Sequence, residues 1–335
     1  MRYLNHQIIL KRRTDGLPCA GDFSLGEQWI DGCGAGEVLV RNYYLSVDPA
    51  QKGWMGSAVN YASAVVGQPM RALAVGEVLV SQAEGFSVGD FVVGWLGWQE
   101  YACVTTDKIQ TKVDPTVAPL RYALGALGLN GLTAYIALND ILSPDPEDTV
   151  LVSTAAGGVG SIVGQLAKRR GCHIVGLTSS DAKARLCCCE YGYDRVVNYT
   201  ASDWLQQLKA ACPNGVDRYF DMVGGWITDE VIGLMNHSGV HAQVGTAAVE
   251  GWSPVPLAPR RERAVLVKEL THKGFIAFNH EHRFDHARRH LLDMIDCGAL
   301  NYREDIRDGL ASAPAALVSL YEGTNTGKTL VRLVD

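Results

Sequence analysis

The sequence TVLVSTAAGGVGSIVG, from Thr149 to Gly164, decides the fold of this chain. It begins with an apolar, β-branched run, TVLVS (149–153), which predicts a buried strand. A loop of the form A-x-G-x-x-G follows directly, and the apolar spacing after it predicts a helix over Ser161–Arg170. Glycines in this pattern permit a tight turn and let the backbone approach a pyrophosphate, whose charge then lies at the helix N-terminus. The loop residues predicted to bind a dinucleotide are Ala156, Gly157, Gly158, Val159 and Gly160.

Strands and helices continue to alternate beyond this loop. The pattern predicts a helix from about Asp181 to Tyr191 and strands at Cys172–Leu177, Arg195–Asn198, Asp217–Met222 and Val240–Val244. Alternation at this pace is typical of βαβ units, so the sequence predicts a doubly wound parallel sheet of the Rossmann type.

The chain before Pro119 has a different rhythm. Short strands such as Glu37–Asn42, Ala74–Val80 and Phe91–Trp95 are separated by Gly, Pro and Asp, and the C-terminal segment Lys328–Val334 is again a strand pattern. The predicted fold class is therefore α/β with two domains. A β-rich domain covers residues 1–120 and 301–335, a Rossmann domain covers residues 121–300, and the active site is expected in the cleft between them.

Composition excludes several classes of protein. The 335 residues are 47% hydrophobic and 20% charged, as in an ordinary globular chain, and the net charge of −6 argues against non-specific binding of nucleic acid. The N-terminal sequence has no signal-peptide core. Glycines and amides interrupt the uncharged stretches Tyr122–Asn139 and Thr149–Ala167, which predicts buried elements and no membrane partner. Nine cysteines at irregular positions, three of them consecutive at 187–189, predict reduced thiols in a cytoplasmic protein.

The end of the second predicted strand indicates which nicotinamide cofactor binds. An NAD site usually places an acid there to hold the ribose 2′-OH. Here the strand runs into Thr178 and Ser179, and the first acid is Asp181, at a position predicted to be a helix N-cap. Lys183, one turn into that helix, can supply positive charge to a 2′-phosphate, so the pattern favours NADP. The alternative for Lys183 alone is a solvated side chain on a helix face.

Short blocks spread along nearly the whole chain carry a resemblance to a known family. They are LSVDP (45–49), NY (60–61), VGQPM (66–70), GWQEY (97–101), LGLNGLTAY (127–135), NY (198–199), YFDMVGG (219–225) and GTNTGK (323–328). In this order they resemble the medium-chain dehydrogenase/reductase superfamily. Within it they resemble the zinc-free, NADP-dependent alkenal and enone reductases, which include the leukotriene B4 12-hydroxydehydrogenase/prostaglandin reductases and the plant double-bond reductases.

The resemblance implies a GroES-like catalytic domain beside the Rossmann domain. It also implies that Lys183 and Tyr199 hold the 2′-phosphate and that Asn325 contacts the nicotinamide end. The block containing Thr133 would line the cofactor site, as would Val244 and Gly245. Tyr61 is the implied catalytic donor beside the substrate; the alternative is a packed tyrosine with a satisfied hydroxyl.

Metal ligands are missing from the expected places. Zinc-dependent relatives carry Gly-His-Glu where this chain has Gly67-Gln68-Pro69, and of their four-cysteine lobe only Cys103 falls in the region, so no metal is predicted. His282, His286 and His290 recur at helical spacing, but a solvated helix face is the favoured interpretation. Without a Lewis acid, alcohol oxidation loses its usual stabilisation of the alkoxide. Hydride addition to an activated C=C needs only hydrogen-bond donors aimed at the carbonyl oxygen.

The sequence therefore predicts an NADPH-dependent reductase of the C=C bond of α,β-unsaturated aldehydes or ketones, and the family resemblance implies a homodimer. Ala50 and Met222 depart from the family pattern, and the run 245–252 lacks a second pocket tyrosine, so a pocket of different shape is expected. The alternatives are a zinc-free quinone reductase and a non-catalytic NADPH-binding protein.

Overall fold

The computed structural model describes residues 2–14, 16–56, 62–249, 251–252 and 254–334. Within these ranges the strands are, in chain order, β1 Tyr3–Leu10, β2 Phe23–Ile30, β3 Glu37–Ser46, β4 Ala74–Ser81, β5 Phe91–Gly94, β6 Tyr101–Thr105, β7 Ile109–Val113, β8 Thr149–Val152, β9 His173–Thr178, β10 Arg195–Asn198, β11 Val216–Asp221, β12 Met235–Gln243, β13 Thr271–Gly274, β14 Glu304–Asp308 and β15 Lys328–Arg332. The α-helices are α1 Ala50–Met55, α2 Leu129–Ile136, α3 Gly160–Arg169, α4 Asp181–Glu190, α5 Trp204–Ala211, α6 Gly225–Leu234, α7 Glu262–Val267, α8 Phe284–Asp296 and α9 Ala313–Glu322.

Packing divides the chain into two units. The first unit comprises Met1–Gly125, Gly251–Ser253 and Glu304–Asp335, and the second comprises Ala126–Glu250 and Pro254–Arg303. The first unit is discontinuous in sequence because the C-terminal segment belongs with the N-terminal strands, and the second because Gly251–Ser253 belong to the first unit.

The first unit is built on an antiparallel sheet. Its strands have the order β14-β15-β3-β4-β5-β7, β6 pairs with β3, and β1 and β2 form a separate hairpin pair. The C-terminal strand β15 lies antiparallel to β3, with Leu330 opposite Ser46, and parallel to β14. The β-branched and aliphatic residues predicted to form strands, such as Val38 and Val40, are fully buried in this unit's core. Their burial stabilises the sheet by removing apolar area from water.

The second unit is built on a parallel sheet of order β10-β9-β8-β11-β12-β13. All four residues of β8 are buried, as expected for a strand covered on both faces. Helix α3 packs closely on its neighbours because Gly164 has no side chain: a Cβ there would lie 2.2 Å from the Tyr193 ring. The predicted α/β fold, with a β-rich unit and a doubly wound parallel sheet, is confirmed.

Some boundaries differ from the sequence prediction. Strand β12 starts at Met235, five residues before the predicted start, because Met235 pairs with Val216 across a register shift. Helix α8 starts only at Phe284, so His282 lies in the preceding 3-10 segment, apart from the face that His286 and His290 share. Both of the latter are exposed and pack against the Tyr135 ring, with Tyr135 Oη and His286 Nε2 3.1 Å apart.

The cysteines and the two uncharged stretches were both considered in the sequence analysis. All nine cysteines are free thiols, and burial raises the pKa of Cys187, on the inner face of α4, to about 12. Among the described residues, no helix is both long and apolar enough to cross a membrane.

Candidate cofactor-binding site

The glycine-rich loop joins β8 to α3 at the carboxyl end of the parallel strands. The Gly157 amide donates to the Thr154 carbonyl oxygen at 2.9 Å and closes the turn. A Cβ at Gly160 would lie 2.3 Å from that same oxygen, so the position accepts only glycine. Val159 is the N-cap residue of α3. The amides of Ser161, Ile162 and Val163 donate to carbonyl oxygens of the loop at 3.0 Å each. The loop therefore places the positive end of the α3 dipole at the edge of the sheet, where an anion is stabilised.

One buried group at this helix start has no partner within the protein. Ser161, in the first turn of α3, is 1% exposed, and its hydroxyl oxygen makes no hydrogen bond to the described residues. A buried hydroxyl normally has a partner. A bare glycine turn, a helix N-terminus and an unsatisfied hydroxyl together fit the pyrophosphate of a dinucleotide.

The end of β9 corrects one prediction. The N-cap of α4 is Ser180, whose hydroxyl oxygen accepts from the Lys183 amide at 3.3 Å, and Asp181 is the first residue of the helix. The prediction of Asp181 as N-cap was wrong because the hydroxyl one residue earlier satisfies that amide. The Asp181 carboxylate instead accepts from Asn198 Nδ2 at 2.9 Å, toward β10. Thr178 is buried and its hydroxyl donates to the Ser180 carbonyl oxygen at 3.2 Å.

Ser179, Lys183 and Tyr199 surround the same strand end. Lys183 is half-buried in the first turn of α4, and Tyr199 directly follows β10. Burial raises the pKa of Tyr199, and a hydrogen bond with the Ser179 side chain partly opposes that rise. Hydroxyl groups and one ammonium group, with the first carboxylate held by Asn198, suit a phosphate better than a ribose 2′-OH. The residues present fit NADP.

A buried carboxylate that the sequence analysis did not single out shapes the next loop. Asp221, at the end of β11, is 0% exposed. Its Oδ1 accepts from the amides of Val223 and Gly224, both at 2.9 Å. Its backbone oxygen accepts from the amides of Val244 (2.7 Å) and Gly245 (3.1 Å). The structure therefore joins two of the predicted cofactor contacts to the Asp221 loop.

The other carboxylate oxygen of Asp221 completes the network. Oδ2 accepts from the Thr228 hydroxyl at 2.6 Å and lies 3.0 Å from Nε2 of His241. The His241 ring is fully buried and stacks between Tyr219 (5.0 Å between centroids) and His272 (4.2 Å). An ionisable residue within an apolar strand was the available sequence signal, since such groups are rarely buried without partners.

Three predicted residues remain, and they are Thr133, Asn325 and Tyr61. Thr133 is buried in α2 of the second unit. Asn325 belongs to the first unit, between α9 and β15, where its Nδ2 donates to the Gly327 carbonyl oxygen at 3.3 Å. Tyr61 lies outside the described residues.

Comparison with known proteins places these features in a family. Residues 6–112 match the model for the N-terminal domain of oxidoreductases, and residues 158–293 match the model for zinc-binding dehydrogenases. The NADPH-dependent curcumin reductase of Escherichia coli is 34% identical, over 98% of this chain and 97% of that protein. The NADP(+)-dependent 2-alkenal reductase of Nicotiana tabacum is 35% identical, over 98% of this chain and 97% of that protein.

A solved structure is also similar to this chain over nearly its whole length. The crystal structure of CurA from Vibrio vulnificus in complex with NADPH superposes with a TM-score of 0.93 at 34% identity, covering 98% of this chain and 99% of that one. The chain belongs to the zinc-free branch of the medium-chain dehydrogenase/reductase family.

Zinc ligation separates this medium-chain dehydrogenase/reductase from the metal-dependent members. The chain has Gly67-Gln68-Pro69 where those members have ligands. Within the described ranges, no three His, Cys, Asp or Glu side chains are grouped so as to hold a metal ion. The term zinc-binding is the description of the matching family model as a whole.

Proposed function

We propose that this chain is an NADPH-dependent reductase that transfers a hydride to the C=C bond of α,β-unsaturated aldehydes or ketones. The observation that carries the proposal is the group of Ser179, Lys183 and Tyr199 beside the glycine loop, because it suits the phosphate that distinguishes NADP from NAD. The Escherichia coli and tobacco relatives are a curcumin reductase and a 2-alkenal reductase, each similar over nearly the whole chain, and they support the reaction class.

The second unit is proposed as the NADP-binding domain. The glycine loop (156–160) would hold the pyrophosphate, Thr178, Ser179, Lys183 and Tyr199 the adenosine phosphate end, and Thr133, Val244 and Gly245 the path toward the nicotinamide. Bound NADPH supplies the hydride from C4 of its nicotinamide. The protein would position the cofactor and the substrate relative to each other. Its fixed hydrogen-bond donors would stabilise the negative charge that develops on the substrate, without having to reorganise.

The first unit is proposed as the catalytic domain. Asn325 would contact the nicotinamide end, and the Tyr61 hydroxyl would donate a hydrogen bond to the substrate carbonyl oxygen, where enolate charge develops. Water would protonate the α-carbon. Ala50 and Met222 stand where relatives have larger or more polar residues, so we expect an acceptor of different shape from theirs.

The reaction is tested by following NADPH absorbance with a panel of enals, enones and quinones, with NADH in parallel. We expect NADPH consumption with an enone and a product saturated at the C=C bond, and Tyr61→Phe is expected to lower kcat by about tenfold or more. Turnover of quinones alone would replace the proposal with a quinone reductase. Binding of NADPH without any turnover would favour the non-catalytic alternative.

The cofactor preference has its own test. Lys183→Met should raise the KM for NADPH by about tenfold or more and leave the KM for NADH unchanged, because a charge-assisted hydrogen bond to the 2′-phosphate is lost. Lys209→Met, on the exposed side of α5, is the matched control and should change neither value. Equal loss with both cofactors would contradict the assignment of Lys183 to the phosphate.

The assembly of the protein and its location in the cell are two further proposals. We propose a homodimer, which sedimentation would test, and a cytoplasmic location, which the nine free thiols support. A monomer at micromolar concentration would contradict the first of these.

A further inference from the structure

Trp226 is an unusually placed aromatic residue. It lies in the first turn of α6, two residues after Gly224, and 49% of it is exposed. The backbone reaches this position through Gly224 and Gly225, whose φ angles of 63° and 60° lie in the left-handed region. Farther along the helix, Ile227 and Val231 are buried against the sheet. Trp226 therefore presents apolar surface to solvent at the carboxyl end of the strands.

The Trp226 ring has a fixed orientation. It packs edge-to-face against Tyr199 (centroids 6.1 Å apart, 75° between planes) and against Trp204 (5.3 Å, 84°). Tyr199 in turn is hydrogen-bonded to Ser179 at the end of β9. These two aromatic contacts hold the indole in one orientation, and about half of its surface stays exposed to solvent.

The sheet order locates this ring. Tyr199 follows β10 and Trp226 follows β11, yet β9 and β8 lie between those two strands. Neighbouring strands are about 4.8 Å apart, so β10 and β11 are roughly 14 Å apart. A contact between the two rings therefore spans the carboxyl ends of β9 and β8. Those are the strands that carry Ser179 and the glycine loop.

From this placement we infer that Trp226 stacks on the adenine ring of NADP and is a specificity-determining residue for the adenosine half of the cofactor. The inference rests on the proposed function only for the identity of the cofactor. In NADP the adenosine ribose joins the 2′-phosphate to the pyrophosphate and carries the adenine on its C1′ atom. A phosphate held by Lys183 and a pyrophosphate held at α3 therefore leave the adenine beside them at this edge, where a half-exposed indole offers a flat apolar surface. Stacking of a base on an aromatic side chain is worth about 1–3 kcal/mol, or roughly 5- to 150-fold in affinity.

Calorimetry with 2′,5′-ADP tests the inference, because this ligand carries the adenine and the 2′-phosphate but no nicotinamide. We expect Trp226→Ala and Trp226→Leu to raise its Kd by about 5- to 100-fold, and Trp226→Phe to stay within about threefold of the wild type. Trp226→Leu retains apolar bulk, so it separates stacking from packing if the alanine variant fails to fold. The matched control is Trp29→Ala, an equally exposed (50%) tryptophan on β2, which should leave the Kd unchanged.

Reduced nicotinamide mononucleotide, which lacks the adenosine half, supplies the second readout. Its rate of oxidation should be the same in Trp226→Leu as in the wild type. Wild-type binding of 2′,5′-ADP by Trp226→Leu would overturn the inference, and so would failure of the wild-type protein to bind 2′,5′-ADP. If 2′,5′-ADP binding depends on Trp226 but no enone is reduced, the inference stands and the proposed reaction fails.

Discussion

Lys328 in the first unit and Asp221 in the second are both ionic side chains buried within a sheet, and their partners are of opposite kinds. Nζ of Lys328, at 2% exposure, donates to Ser46 Oγ (2.7 Å), to the Val47 carbonyl oxygen (3.0 Å) and to the Asp48 carboxylate. All three acceptors lie about 280 residues away in sequence, at the end of β3. This contact fastens the C-terminal strand to the N-terminal part of the chain.

The partners of Asp221 are local and mostly neutral. They are two amides of the following loop, one hydroxyl seven residues on, and the His241 ring. Burial alone would raise the pKa of Asp221, but the hydrogen bond and electrostatic attraction of His241, with the hydrogen bonds from Gly224 and Thr228, outweigh it and hold the pKa below its usual value. Burial lowers the pKa of Lys328 despite the attraction of Asp48. The comparison shows that the carboxylate is compensated by hydrogen bonds from its own loop and by His241, whereas the ammonium depends on carboxylates, with Asp48 in contact and Glu304 attracting it.

The largest effect is expected from removing the counter-ion in contact with Lys328. Asp48→Asn removes the carboxylate that contacts the buried Lys328 ammonium and leaves only the attraction of Glu304, which makes no ion pair with Lys328 among the described residues, so the free energy of unfolding should fall by about 3–5 kcal/mol. Asp308→Asn, which removes an ion-pair partner of Arg332 at the other end of β15, is the matched control. That pair is exposed, so its loss should cost less than about 1 kcal/mol. Urea unfolding at neutral pH measures both, and equal losses would contradict the dependence of Lys328 on Asp48.

A smaller, pH-dependent effect is expected at Asp221. Asp221→Asn should cost about 1–3 kcal/mol at pH 7, because some donors lose their acceptor. The folded-state pKa lies below that of the unfolded chain, about 3.9, so this stability is present above that value and is lost as the pH falls through the folded pKa. The difference between the wild type and Asp221→Asn should therefore narrow from pH 5 to pH 3. A constant difference in urea midpoint over that range would contradict the prediction.

The fold could be predicted from the sequence to a greater extent than these two networks. The parallel sheet, the glycine loop and the return of the C-terminal strand follow from apolar periodicity and turn residues, which act locally, so their positions are predicted to within a few residues. The partner of Lys328 could not be predicted, because a residue 280 positions away supplies it and no local pattern connects the two. The position of Ser180 as N-cap depends on which of two adjacent side chains reaches one amide, a choice that propensity does not resolve.

The residues of the candidate site also differ in whether the sequence could predict that they lie together. Ser179, Lys183 and Tyr199 lie near one another because consecutive parallel strands end at the same edge, which the βαβ pattern predicts. The contact of Trp226 with Tyr199 crosses two intervening strands, so it depends on the order of the strands in the sheet. An analysis that compares only consecutive elements of the sequence cannot predict such a contact.

The smallest effect is expected from an uncharged counterpart of the two ionic networks. The Tyr193 hydroxyl is buried and donates to the Gly160 carbonyl oxygen at 2.7 Å, which ties the start of α3 to the turn after α4. Tyr193→Phe should lower the free energy of unfolding by about 1 kcal/mol, because one neutral hydrogen bond is lost and its acceptor remains buried.

Tyr191 provides a matched control two residues away. It is equally buried, but within the described residues its hydroxyl has no hydrogen-bond partner, so Tyr191→Phe removes a polar group that nothing compensates. That variant should be neutral or slightly stabilising by urea unfolding. Tyr193→Phe should also weaken NADPH binding, because the Gly160 carbonyl belongs to the loop proposed to hold the pyrophosphate, whereas Tyr191→Phe should not. If both variants destabilise the protein equally, the cost comes from ring packing, and the hydrogen bond to the glycine loop contributes nothing measurable.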